Sequence, residues 1–245
     1  FINSKKTVHT PFLADYMEKV YLPGIESGVI TYRKGNEQLF YSKGTIKAFK
    51  SSMKAFQHYE SSKNKRHRFD DIDLKFHEDF VEWHFRKGLK ANYIGRLIKD
   101  LKKILEYTYN TGLHKNTIHR HSDFFILREE VDNIYLTEDE LDLLYQAKLP
   151  ANLSHYRDVF LVGCYTALRF GDFSRLKADH IDNDFKFINI IATKGNNKLK
   201  IPIRPELKNI LSKKGYLDHP QVNLTVMNRK LKEIGKLAGI DSIYE

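Results

Sequence analysis

Apolar side chains recur at the spacing of one helix face along much of this chain, and this periodicity constrains the fold more than any other feature. Residues 92–111 give the clearest example and end at Gly112, a candidate C-cap. Residues 45–61 repeat the pattern, and Asp73 has the position of an N-cap for another helix. The buried stripe of the clearest run is formed by Ile94, Leu97, Ile98, Leu101, Leu105 and Thr108. The first half of the chain is therefore predicted to be helical.

The second half combines helical patterns with one candidate β-hairpin. Residues 137–140 have the spacing of a capping box, and residues 154–167 are apolar enough for a buried helix. Two extended runs, 185–192 and 199–203, flank a polar turn and predict an antiparallel hairpin. Two more helical patterns begin at Pro205 and Asn223. We therefore expect a mainly α-helical fold with a small β-hairpin.

Changes in pattern divide the chain into four segments. Residues 1–35 contain several helix breakers and are interpreted as a lead-in segment. Residues 36–120 are predicted to form a small helical domain. Residues 121–133 lose periodicity and are interpreted as a linker, and residues 134–245 form the second domain.

The chain is strongly basic, with 41 Lys and Arg against 31 Asp and Glu and a formal charge of +10. On two predicted helices the cations lie opposite the apolar stripe. They are Lys47, Lys50 and Lys54 on one helix, and Arg96, Lys99 and Lys103 on the other. These faces fit a polyanionic partner such as nucleic acid, although a solvated basic surface gives the same pattern.

Other classes of site and location are limited by what the sequence contains. Cys164 is the only cysteine, which excludes a disulfide within the chain and a cysteine-rich zinc site. No apolar run is long enough to span a bilayer, and no signal-peptide pattern opens the sequence. The histidines and aspartates lack the spacing of metal ligands, so no metal and no cofactor is predicted. A cytoplasmic location is expected.

Two short motifs carry side chains suited to phosphodiester chemistry. Residues 166–176 place Arg169 in a turn after the buried helix, with Asp172 three residues later. A guanidinium group gives two parallel hydrogen bonds to phosphate oxygens. Lys194 lies where the hairpin turn begins and is able to protonate a leaving oxygen. Alone, each has an ordinary interpretation: a helix-end ion pair for Arg169 and Asp172, and a solvated lysine for Lys194.

Together, these motifs resemble the tyrosine recombinases, often called phage integrases. Residues 167–173 read Ala-Leu-Arg-Phe-Gly-Asp-Phe, which is similar to the first signature of that family. Lys194-Gly195 followed by Ile-Pro-Ile at 201–203 is similar to the second signature. Residues 136–141, Leu-Thr-Glu-Asp-Glu-Leu, match the expected preceding helix, and residues 134–137 resemble integrases of Bacteroidetes mobile elements.

The resemblance implies a fold, an activity and a partner. The expected fold is a helical, SAM-like core-binding domain plus an α-rich catalytic domain with a small antiparallel hairpin, as in DNA-breaking–rejoining enzymes. Arg169 would bind the scissile phosphate, Lys194 would be the general acid, and Asp172 would support them. The expected partner is duplex DNA, around which the two domains form a clamp. The full-length protein is expected to assemble as a tetramer on DNA and to associate with the nucleoid. A DNA-bending host factor is expected as a further partner.

The sequence departs from the family pattern after Lys194. The family places a His-x-x-Arg motif and the nucleophilic tyrosine there, whereas His219 lacks the arginine, and neither Tyr216 nor Tyr244 follows such a motif. We therefore expect no nucleophile in this chain, an active site completed by residues beyond it, and a further domain upstream of Phe1.

Two other functions fit the same residues. One is a sequence-specific DNA-binding protein without catalysis, derived from an integrase. The other is a nicking enzyme like the type IB topoisomerases, which share the chemistry. A His-x-x-Arg motif and a tyrosine in the longer reading frame would distinguish a recombinase from the binding protein, and DNA relaxation without site preference would indicate the topoisomerase.

Overall fold

The computed structural model describes residues 10–213, 216–218 and 222–240 and divides into two compact units. Unit 1 ends at Val131 and unit 2 begins at Asp132. Each unit has its own cluster of buried apolar side chains. The prediction of a mainly helical chain with a small antiparallel hairpin is confirmed. Among the residues described, no helix has both the length and the apolar content needed to cross a membrane.

Among its described residues, unit 1 contains five α-helices and a two-stranded ribbon. In chain order, its elements are α1 (Leu13–Tyr16), α2 (Leu22–Ser27), β1 (Tyr32–Lys34), β2 (Glu37–Leu39), α3 (Lys43–Lys63), α4 (Leu74–Arg86) and α5 (Ala91–Asn110). Ser42 caps α3 by accepting from the Thr45 N–H, and Asp73 caps α4 by accepting from the Phe76 N–H. After α5, Gly112 adopts a left-handed φ of 78°, as the C-terminal signal predicted.

Residues 13–30 contribute to the core of unit 1, which differs from the expected lead-in segment. Leu13, Met17, Tyr21 and Ile25 are buried in that core. They recur every fourth residue along a continuous helical run, in which a π-helical turn (Met17–Tyr21) connects α1 to α2. Pro23 follows this turn in the first turn of α2, where a missing N–H group is tolerated. Pro23 and Gly24 therefore lie within this run, and Gly28 ends it with a left-handed φ of 80°.

The expected linker also belongs largely to unit 1. Phe124 is fully buried, and its carbonyl accepts from Lys102 Nζ at 2.7 Å. Asn92 exchanges two hydrogen bonds with the Glu129 backbone, at 2.8 and 3.1 Å. Side chains of α5 thus satisfy the backbone of residues 124–129. This irregular segment has no periodicity of its own, so its packing left no pattern in the sequence.

The described part of unit 2 contains five α-helices and a β-hairpin. Its elements are α6 (Glu138–Gln146), α7 (Ala151–Thr166), α8 (Phe170–Phe173), β3 (Phe187–Ile191), β4 (Lys198–Pro202), α9 (Pro205–Leu211) and α10 (Leu224–Leu237). The predicted capping box of α6 is present, with the Thr137 and Glu140 side chains each accepting from the other's backbone N–H. The hairpin pairs Phe187 with Pro202 and Ile191 with Lys198.

Candidate functional site

Arg169 lies in a sharp turn between two helices of unit 2. The last residue of α7 is Thr166, and Ala167 then adopts a left-handed φ of 53°, which ends the helix. Leu168 returns to the core, and Arg169 follows in extended conformation as the N-cap residue of α8. Because its neighbour is anchored in the core, Arg169 is directed to the surface, where it is exposed.

Lys194 lies in the loop that joins β3 to β4. The Ala192 N–H donates to the Asn197 carbonyl at 2.8 Å and closes this loop. Gly195 and Asn196 have positive φ values of 93° and 54°, a conformation that glycine and asparagine adopt most readily. The loop therefore turns tightly directly after Lys194 and leaves its side chain exposed.

Asp172 connects the two motifs by hydrogen bonds to Thr193, the residue before Lys194. Its buried carboxylate accepts from the Thr193 backbone N–H at 2.8 Å and from the Thr193 hydroxyl at 2.7 Å. Arg175 donates to the same oxygen at 3.2 Å and also to the last carbonyl of β3. These donors, with the Thr193 hydroxyl first, hold the pKa of Asp172 below its usual value. Asp172 thus fixes the loop of Lys194 to the turn of Arg169.

Arg169 and Lys194 are available for an external anion. Within the described residues, neither side chain has an ion pair or a hydrogen bond. Two other arginines of unit 2 are engaged: Arg157 donates to Asp158 at 2.9 Å, and Arg204 donates to Glu206 at 2.8 Å. An exposed, unpaired guanidinium and an exposed ammonium near a common hydrogen-bonded carboxylate are suited to binding a phosphodiester.

Sequence reasoning missed Thr193 and Arg175, the two partners of Asp172. Thr193 is 21 positions from Asp172, and nothing in either motif indicates which residue a buried carboxylate will contact. Arg175 lies at i+3 from Asp172, on the same helical turn. Of the contacts that Asp172 makes, spacing in the sequence could therefore have indicated only the ion pair with Arg175.

Tyr216 is poorly suited to act as a nucleophile. Its ring is partly buried against the core of unit 2, and its centre lies 6.3 Å from that of the His155 ring. Burial raises the pKa of its hydroxyl, which opposes formation of the reactive phenolate. His219 and Tyr244 lie outside the described residues. In the described ranges, no group of three or more metal-ligand side chains lies together.

The predicted DNA-contacting lysines of α3 line a groove on unit 1. This α3 groove has a volume of about 650 Å³ and includes Lys47, Lys50 and Lys54 together with Trp83 and Tyr93. The Lys50 ammonium lies 2.5 Å from the Glu26 carboxylate. Lys47 and Lys54 have no such partner in the described part of the chain, so they are the freer cations of this groove.

The predicted cations of α5 differ in what they contact. Arg96 is half-buried, and it donates to Ser52 Oγ at 3.1 Å and to Asp100 Oδ2 at 3.5 Å. It therefore joins α5 to α3, a contact that its place on a basic helix face did not indicate. Lys99 and Lys103 are exposed and lack ion pairs with the described residues. A role in DNA contact stays a prediction for all three.

A second groove contains cations that sequence reasoning did not assign. This ribbon groove has a volume of about 830 Å³, and it includes Arg33 of β1 with Lys99 and Lys103 of α5. The strands β1 and β2 are three residues each and mostly polar, so they give no alternating apolar pattern. The Gly35-Asn36 turn between them was the one available signal.

Comparisons with known proteins agree with this architecture. Residues 29–125 match the family model described as a phage integrase SAM-like domain. Among curated proteins, no match to the sequence was found. A lambda integrase dimer bound to a COC′ core site is similar, with a TM-score of 0.73 and 17% identity over 97% of this chain and 66% of that chain. This chain therefore spans just under two thirds of the length of that lambda integrase chain.

Two further solved structures have the same fold. A lambda integrase tetramer bound to a Holliday junction gives a TM-score of 0.72 and 17% identity, over 96% of this chain and 69% of that chain. The Tn1549 transposon integrase in complex with a circular intermediate DNA gives 0.62 and 14%, over 92% and 80%. The chain thus carries a phage integrase SAM-like domain and has the fold of the tyrosine recombinases, the family that its two motifs resemble.

Proposed function

We propose that this chain acts in site-specific DNA recombination, the integration or excision of a mobile element. Strand cleavage and rejoining would be metal-independent and would pass through a 3′-phosphotyrosine. The observation that carries this proposal is the pair of free cations, Arg169 and Lys194, whose backbones are joined through Asp172 and Thr193. The likeness to integrases that were solved with bound DNA supports it.

The proposed chemistry divides into three roles. A tyrosine hydroxyl loses its proton to solvent and its oxygen attacks the scissile phosphorus, so that a bond forms between them and the bond from phosphorus to the 5′-oxygen breaks. Arg169 binds the non-bridging oxygens and stabilises the charge that grows on them in the transition state. Lys194 donates a proton to the departing 5′-oxygen. Rejoining reverses these steps, with the 5′-hydroxyl as nucleophile and the tyrosine as leaving group.

The nucleophile is the role that we do not assign within this chain. Tyr216 has a partly buried ring and a raised hydroxyl pKa. The printed sequence contains no His-x-x-Arg motif after Lys194. We therefore propose that the 245-residue chain binds duplex DNA but does not cleave it, and that a longer protein supplies the tyrosine and assembles as an oligomer on DNA.

A covalent-trapping experiment tests this assignment. A nicked suicide duplex carrying the recombination site is incubated with the protein from the longest reading frame that contains this sequence, and adducts are resolved on a denaturing gel. Arg169→Ala should slow adduct formation by roughly a hundred- to a thousandfold. Lys194→Ala should be slow on ordinary DNA and recover on a substrate with a 5′-thio leaving group, which needs little protonation. Lys198→Ala, at an exposed lysine of the same hairpin, is the matched control and should react normally.

Two results would contradict the proposal. An adduct formed by the 245-residue chain itself would identify a nucleophile among its own tyrosines. A longer protein that binds the site yet forms no adduct would favour the non-catalytic DNA-binding protein. Thermal unfolding of each variant confirms that the substitutions leave the fold intact.

A further inference from the structure

The ribbon formed by β1 and β2 is largely exposed, although a hairpin of this kind is not expected to be stable without packing. Five of its six residues are exposed, and the ribbon pairs with no other strand in the described chain. A two-stranded hairpin is marginally stable in water unless one face is packed. Arg33 and Lys34 project from β1, opposite Gln38 and Glu37. An exposed antiparallel ribbon with basic side chains has the dimensions of an element that enters a DNA groove.

The ribbon groove beneath it has an excess of positive charge. Its one carboxylate, Glu106, accepts from Arg120 at 2.8 and 3.0 Å and lies 2.7 Å from His119 Nε2. These hydrogen bonds, above all from Arg120, lower the pKa of Glu106 to about 2, so the carboxylate is ionised at neutral pH and its charge is offset by the ion pair with Arg120. Arg33 and Lys99 remain without an ion pair to any described residue.

One face of α5 connects the α3 groove to the ribbon groove. Tyr93 lines the α3 groove, Arg96 stacks on its ring at 4.8 Å, and Lys99 and Lys103 line the ribbon groove. Positions 93, 96, 99 and 103 follow the i+3 and i+4 spacing of a single helix face. At about 1.5 Å per residue they extend over roughly 15 Å. Duplex DNA presents a charge every ~1.7 Å along its axis, so this face matches several phosphates rather than one small anion.

We propose that the β1–β2 ribbon is a second DNA-contacting element of unit 1, with Arg33 and Lys34 contacting the phosphates of duplex DNA beside those held by Lys99 and Lys103. Tyr32, whose side chain lines the same groove, packs against the sugar edge. This inference rests on the proposed function, because it assumes that the partner is duplex DNA. It extends the interface to residues that neither the basic helix faces nor the two catalytic motifs include.

The test measures the affinity of the whole chain for a labelled duplex by fluorescence anisotropy, over a range of salt concentrations. The variant Arg33→Gln with Lys34→Gln removes two ribbon cations. The control, Lys75→Gln with Lys115→Gln, removes the same charge from exposed positions of unit 1 outside both grooves. The negative slope of log affinity against log salt should become shallower by about 1.8 for the ribbon variant, at roughly 0.9 per lost phosphate contact, and should not change for the control.

The possible outcomes separate the inference from the proposed function. If the wild-type chain binds duplex DNA and the ribbon variant binds with the same affinity and slope, the ribbon does not contact DNA and the inference is wrong. If the ribbon variant and the control lose the same amount, only net charge matters, and the inference is again wrong. If the wild-type chain shows no salt-dependent duplex binding, the proposed function fails together with the inference. Because Arg33 and Lys34 are exposed, both variants should unfold at the wild-type temperature.

Discussion

Asp172 shows how one buried residue sets the geometry of two catalytic candidates. It accepts three hydrogen bonds from Thr193 and Arg175, and it is itself only 2% exposed. Removing its carboxylate takes away the acceptor that the Thr193 N–H and hydroxyl share, and leaves a gap at a buried position. Asp172→Ala should therefore lower the free energy of unfolding by about 1–3 kcal/mol, as measured by urea denaturation at pH 7.

The pH dependence of Asp172→Asn distinguishes charge from shape. The folded-state pKa of Asp172 lies below its ordinary value of 3.8, so the ionised group stabilises the fold above that pH. This stability is lost as the pH falls through the folded-state pKa. Wild type should thus be more stable than Asp172→Asn at pH 7, and the difference should shrink below pH 3.8. A difference that stays constant on acidification would mean that the carboxylate charge contributes nothing.

Single residues also mark where sequence reasoning succeeded and where it could not. The motif around Arg169 predicted a surface arginine after a buried helix, because the residues that position it are its neighbours in sequence. Ala167 ends the helix and Leu168 packs in the core. Arg96 was grouped with Lys99 by its helix face alone. Its hydrogen bond to Ser52 depends on how α3 packs on α5, because it joins positions 44 residues apart. Its contact with Asp100, at i+4 on the same helix, does not.

At the scale of elements, the close approach of residues 124–129 to α5 depends on a glycine. A Cβ atom at Gly95 would lie 2.0 Å from the Leu127 carbonyl oxygen, which is backbone and cannot move alone. Gly95→Ala should therefore destabilise unit 1 by about 1–3 kcal/mol through overpacking, measured by urea denaturation. Gly44→Ala is the matched control in α3, where the nearest atom is 3.8 Å away. It should not destabilise the same unit.

Equal stability of these two variants would contradict the packing of residues 124–129 on α5.

The same segment, residues 124–129, explains why the end of unit 1 was not predicted from the sequence. Periodicity and capping residues predict long helices such as α3 and α5, and the predicted spans agree closely with the structure. Irregular segments are positioned by backbone hydrogen bonds and by small residues on a neighbouring helix, which leave no repeating pattern.

At the scale of the whole molecule, net charge indicated a polyanionic partner but not where it binds. The sum of +10 is compatible with cations spread evenly over the surface. In the structure, the three lysines predicted on α3 line one groove of unit 1, and Lys99 and Lys103 of α5 line a second, to which the ribbon adds Arg33. Arg96 lines neither groove. Grouping of this kind depends on tertiary packing, and the ribbon itself was not predicted. The fold class, by contrast, followed from periodicity and two short motifs.

The salt dependence of DNA binding tests the central claim that these grooves hold duplex DNA. One variant replaces Lys47, Lys54, Lys99 and Lys103 by glutamine, and leaves Arg96 in place because it joins two helices. The control replaces four exposed lysines of unit 1 that line neither groove, namely Lys63, Lys65, Lys75 and Lys115. Both variants lose the same charge. We predict that the negative slope of log affinity against log salt becomes shallower by about 3.6 for the groove variant, at roughly 0.9 per contact, and stays unchanged for the control. An equal change in both variants would show that the basic faces are ordinary solvated surface, and would contradict the account.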